Sequence, residues 1–88
     1  GTAVTPQLLS QVEKAEAALF DLGFRELRVR HHGDVARIEV PEVDLNRVLK
    51  QRDGITASLK ALGYVYITLD LAGLRSGSMN EVLAARTA

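Results

Sequence analysis

Arg28-Val29-Arg30-His31-His32-Gly33-Asp34-Val35-Ala36-Arg37-Ile38-Glu39-Val40-Pro41 is the stretch that decides the fold. Side chains along a strand point to opposite faces with period two. Before the central glycine, Leu27 and Val29 fall on one face, and Glu26, Arg28 and Arg30 on the other. After it, Ala36, Ile38 and Val40 oppose Val35, Arg37 and Glu39. Two alternating runs joined by His32-Gly33-Asp34 read as a β-hairpin, with strands over 24–32 and 34–40. Pro41 ends the second strand, because it has no N–H to donate to a ladder. Two registers keep apolar opposite apolar. With His32-Gly33 as the loop, Arg28 faces Arg37 and Glu26 faces Glu39. With Gly33-Asp34 as the loop, Arg30 faces Arg37 and Arg28 faces Glu39.

Upstream, Leu8, Val12, Ala15, Leu19 and Leu22 recur at helical spacing after Thr5-Pro6, an N-cap followed by a proline suited to the first turn. This predicts a helix over about 6–22, stopped by Gly23. Downstream, Leu45, Val48 and Leu49 predict helix over 42–50. Asp53 is expected to cap a second helical piece carrying Ile55, Leu59 and Leu62, stopped by Gly63. A strand over 64–70 follows, with Val65, Ile67 and Leu69 on one face and Tyr64, Tyr66 and Thr68 on the other. Leu19-Phe20-Asp21-Leu22-Gly23-Phe24 is echoed by Leu59-Lys60-Ala61-Leu62-Gly63-Tyr64, a recurring helix-to-strand joint. Ser78 and Glu81 fit a capping box ahead of Val82 and Leu83, so a short terminal helix is expected. The expected fold is an α+β two-layer sandwich in the order α-β-β-α-β-α. Its three-stranded sheet is small and mostly antiparallel, with helices on one face.

Composition narrows the function. The chain has 88 residues, room for one small domain (1–88) that is marginal alone and open to assembly. Hydrophobic residues at 47% rule out a disordered tail. Eleven Lys+Arg balance 11 Asp+Glu, which argues against nonspecific nucleic-acid binding. No apolar run reaches the ~18 residues of a membrane span. There is no signal-peptide pattern, and no cysteine for a disulfide, a thiol nucleophile or a zinc finger. The expected compartment is the cytoplasm. The opening Gly1-Thr2-Ala3-Val4, without an initiator Met, is what an excised piece would show.

Local rules fail at three places, where function tends to sit. The first is the polar face of the hairpin, with Glu26, Arg28, Arg30, Arg37 and Glu39. Either register sets two arginines directly across from each other, which destabilises a sheet unless an anion lies between them. Guanidinium forks suit phosphate oxygens, although a solvated face with ion pairs is the plainer reading. The second is Glu16, a carboxylate inside the apolar arc of the first helix. It could lie at the rim, pair with an arginine or bind a divalent metal. The third is Arg75-Ser76-Gly77-Ser78, where a helix N-terminus could attract an anion or simply be capped. His31 and His32 point to opposite faces and cannot chelate one metal as a pair. One packs near the turn, and the other could add a donor to the arginine face. No Ser/His/Asp set, H-E-x-x-H or Walker loop is present, so no complete catalytic site is expected here.

The Arg28–Pro41 run, together with Gly73-Leu74-Arg75-Ser76-Gly77-Ser78-Met79-Asn80, resembles the C-terminal part of one PP-loop family. These are the ATP-dependent sacrificial sulfur transferases that help make the nickel-pincer nucleotide cofactor of lactate racemase. The resemblance runs from Val4 through Leu83. It implies an N-terminal PP-loop domain that binds ATP with Mg2+ and adenylates a substrate carboxylate. Many members sacrifice a Cys just upstream of this region; others use a cluster-borne sulfur. Neither the loop nor any Cys is in this sequence, so the resemblance implies no sulfur transfer by the chain alone. It further implies that Arg28 and Arg30 bind the phosphate of a pyridinium dicarboxylate mononucleotide; Arg37, on the same arginine face, is expected to join them by its own chemistry. It places Glu16 and Glu39 at acidic positions associated with a metal. It assigns no role to Arg75, Ser76 or Ser78, which stay as anion candidates from their own chemistry. The family assembles into trimers or hexamers. A different class of function would be a non-catalytic oligomerisation module with an intersubunit Arg/Glu face.

Overall fold

Thr5 opens the first helix as expected: its Oγ1 accepts the Leu8 N–H at 3.1 Å, and Pro6 occupies the first turn. The computed structural model describes residues 5–74. In chain order these form α1 (Pro6–Asp21), β1 (Arg28–His32), β2 (Val35–Glu39), a 3-10 turn (Glu42–Asp44), α2 (Leu45–Lys50), α3 (Arg52–Ala61) and β3 (Tyr66–Leu69). The architecture is α+β, ordered α-β-β-α-α-β. The expected terminal helix, with Ser76 and Ser78, lies outside the described residues.

The hairpin takes the second of the two registers. Arg28 lies across from Glu39, Arg30 from Arg37 and His32 from Val35. Gly33-Asp34 is the turn, and Gly33 sits at φ 59, the sign a type II′ turn needs at its first central position. The echoed joints are the same structure twice. Gly23 (φ 100) donates to Phe20 O at 2.9 Å, and Phe24 N–H reaches Leu19 O at 3.4 Å. Gly63 (φ 107) donates to Lys60 O at 2.9 Å, and Tyr64 N–H reaches Leu59 O at 3.3 Å. This is the Schellman arrangement, which puts the aromatic after each glycine over the last turn of its helix. Leu19, Phe24, Leu59 and Tyr64 are accordingly all buried.

Three expectations change. The sheet, ordered β1-β2-β3, is mixed: β1 and β2 run antiparallel, but β2 and β3 run parallel. The reason is the helical crossover α2–α3, which returns the chain to the start of the sheet before β3 begins. Asp53 does not cap the second helical piece. Gln51 flanks it, and Asp53 lies within its first turn. Only Gln51 separates α2 from α3, and its N–H still bonds to Arg47 O and Val48 O, so little room is left for a separate cap. Tyr64 does not share a face with Tyr66 and Thr68. The glycine joint buries it before strand alternation starts at Tyr66.

The core joins Val29, Ala36 and Ile38 of the sheet to Ala15, Leu19, Ile55 and Leu59 of the helices. Packing these apolar faces together is the main source of stability. Among the described residues, the opposite sheet face carries Arg28, Arg30, Arg37, Glu39, Tyr66 and Thr68 with no helix over it.

Candidate functional site

The directly opposed Arg30 and Arg37 are reconciled by an anion of the chain itself. Glu39 Oε1 accepts from Arg30 Nε at 3.1 Å, and Glu39 Oε2 accepts from Arg37 Nη2 at 3.2 Å. The Glu39 side chain, paired with both guanidinium groups, is only 11% exposed. Asp70, beyond the end of β3, stands 4.0 Å from Arg37 Nε. That nitrogen is buried without a hydrogen bond among the described residues. Arg37 is therefore held between two carboxylates. Arg30 meets Glu39 through its Nε, and its two terminal nitrogens have no hydrogen-bond partner among the described residues. Arg28 has no carboxylate partner among the described residues, because Glu39, across from it in register, is committed elsewhere. The face thus has two arginines with spare donors side by side, Arg28 and Arg30, and one that is internally neutralised, Arg37.

Asp70 was not among the expected site residues. It was findable, because it continues the alternation of Tyr66 and Thr68 onto the arginine face.

Glu16 lies elsewhere. Its Oε2 accepts the Val29 N–H of β1 at 3.1 Å. β1 is an edge strand, so that N–H faces away from the ladder, and the carboxylate satisfies it from α1. An acid inside an apolar arc thereby finds its partner in a neighbouring backbone. Glu16 also lines a shallow depression of about 340 Å³, and so does Arg28.

The expected acidic metal positions do not fit a metal site within the described residues. Glu16 and Glu39 each accept from N–H groups of the chain, and no group of three or more His, Asp or Glu side chains is gathered there. The histidines separate as strand parity requires. His32 falls with the arginines, and His31 turns inward, where its Nδ1 lies 3.0 Å from Tyr64 Oη. Arg75, Ser76 and Ser78 lie outside the described residues.

Burial raises the Tyr64 hydroxyl above its ordinary range. Desolvation favours the neutral phenol, whose hydroxyl stays hydrogen-bonded to His31 Nδ1. A folded-state value above the unfolded one means the stabilisation is complete below about pH 10 and is lost as pH rises through the folded value. Ultraviolet titration of a Tyr66→Phe variant should show Tyr64 ionising above the ordinary tyrosine range, with unfolding setting in over the same interval. An ordinary midpoint in the folded chain would contradict this.

Comparison with known proteins adds to the geometry. No protein-family model matches the chain. Over 83 residues it is 47% identical to a pyridinium-3,5-bisthiocarboxylic acid mononucleotide synthase of Lactiplantibacillus plantarum. The chain is a homologue of one part of that synthase. The match covers 94% of this chain and 30% of the synthase. An uncharacterized protein of Synechocystis sp. is 34% identical over 85 residues, covering 94% of this chain and 32% of that relative. The chain therefore spans under a third of each of these curated relatives. The synthase is an enzyme, and its name describes a product with thiocarboxylic acid groups on the ring of a pyridinium mononucleotide. No helix among the described residues is long and apolar enough to cross a membrane.

Proposed function

We propose that the chain is the substrate-phosphate-binding and assembly part of an ATP-dependent sulfur transferase acting on a pyridinium dicarboxylate mononucleotide. One observation supports the reading: among the described residues, Arg28 and Arg30 present unpartnered guanidinium donors on a sheet face that no helix covers, while Arg37 is neutralised beside them. A phosphate dianion matches such a pair in charge and in fork geometry. The similarity to the synthase supplies the rest of the ligand, since its named product is a mononucleotide. ATP and Mg2+ would be bound by a PP-loop domain outside this sequence, where the substrate carboxylate is adenylated. The present residues would hold the phosphate end and keep the ring carboxyl groups in place for that chemistry. Assembly as a trimer or hexamer would cover the free edges of the sheet.

Nuclear magnetic resonance titration with inorganic phosphate tests this. The Nε–Hε signals of Arg28 and Arg30 should move together and saturate. Arg28→Gln and Arg30→Gln should each weaken binding about tenfold, the loss of one charge-assisted hydrogen bond. Arg52→Gln, on α3, should leave binding unchanged. Still signals at both Arg28 and Arg30 would overturn the proposal.

A further inference from the structure

We infer that the depression beside Arg28 receives the pyridinium ring of the mononucleotide, with Phe20 against the ring face and Arg25 on a ring carboxyl. This rests on the phosphate reading above and extends it to the other end of the ligand. The depression holds about 340 Å³, near the lower limit for small-molecule sites and on the scale of one substituted ring. Phe20, in the last turn of α1, is 48% exposed, whereas its neighbour Leu19 fills the core. About half of its surface is therefore accessible, and it lines the depression.

The charges of that lining are mixed. Arg25 and Arg28 contribute two positive groups, and Glu16 and Glu26 two negative ones. A bare phosphate would gain nothing from the carboxylates, and a neutral apolar ring would need neither sign. A zwitterionic ring uses both: a flat cation carrying anionic substituents. The face of an aromatic side chain attracts a cation through its quadrupole, and a delocalised cation can also stack on it. Arg28 belongs to both places. It stands beside Arg30 on the sheet face and lines the depression at the β1 edge. A phosphate held by the two arginines therefore leaves the rest of the ligand next to Phe20.

The test compares three probes by nuclear magnetic resonance on the chain: ribose 5-phosphate, nicotinamide mononucleotide and nicotinic acid mononucleotide. Nicotinic acid mononucleotide should bind about fivefold tighter than ribose 5-phosphate, with its ring protons shifted upfield by the phenyl ring. Phe20→Leu should abolish both the preference and the upfield shift, and Phe20→Tyr should keep them. Arg25→Gln should erase the preference for the acid over the amide. Ribose 5-phosphate binding at Arg28 and Arg30 with no gain from the ring would overturn this inference alone, as would an unchanged preference in Phe20→Leu. Failure of ribose 5-phosphate to perturb either arginine would overturn the phosphate reading, and this inference with it.

Discussion

Ile38→Ala is expected to destabilise the fold by about 2–5 kcal/mol, the range for removing most of a fully buried branched side chain. Ile38 is 1% exposed on the central strand, across from Val29 in β1 and Leu69 in β3, and it faces the helical layer. No single neighbour can move in to fill the gap, because sheet pairing holds both flanking strands. A chain of this size has total stability on the order of 5–10 kcal/mol. The substitution should therefore consume a large part of it and lower the thermal midpoint by at least ~10 °C. Val43→Ala is the comparison. Val43 is exposed on the 3-10 turn, and its truncation should change stability by less than about 0.5 kcal/mol. Similar urea midpoints for the two variants would contradict the packing described above.

Glu39→Ala should have the next largest effect, about 2–3 kcal/mol, for a different reason. It removes two charge-assisted hydrogen bonds and leaves Arg30 and Arg37 directly across from each other, like charges on opposed strands. Both arginines are about half exposed, and water recovers part of the loss, which keeps the figure below that of a buried ion triad. Glu39→Gln keeps the shape and one acceptor, so it should cost about half as much. The defect is repulsion between cations, and added salt should reduce it. Phosphate should reduce it more than chloride at equal ionic strength, by standing where the carboxylate stood. Urea melts of both variants across salt concentrations check this. A Glu39→Ala variant as stable as the parent, or one indifferent to salt, would show that the bridge contributes nothing.

The hairpin was legible because period-two alternation is a local property and Gly33 marks where it reverses. Pairing was not: both loops kept apolar opposite apolar, and which arginines met depended on a one-residue choice of turn. The role of Glu39 followed from that choice, since the register brings its carboxylate between Arg30 and Arg37. Glu16 was legible as an anomaly on its helix, and its resolution was not, because the Val29 N–H comes from another element. Tyr64 misled by position. It extends an alternating run in sequence, yet the helix-ending glycine before it turns it into the core.

The sequence by itself determined the kind and order of the helices and strands, the two matching joints at Gly23 and Gly63, and the gathering of arginines on one face, but not where β1 and β3 begin, since Phe24 and Tyr64 belong to the helix-ending joints and the strands start at Arg28 and Tyr66. Each is set by contacts a few residues apart along the chain, where propensity, capping and alternation act. Only the tertiary structure decided that β3 runs parallel to β2, that Asp70 and Glu39 both face Arg37, and that Arg28, without a carboxylate partner among the described residues, lines the same depression as Phe20. Those outcomes depend on groups from separate elements meeting at distances of a few ångströms. Such meetings are fixed by how the helical layer packs on the sheet, which no local pattern encodes.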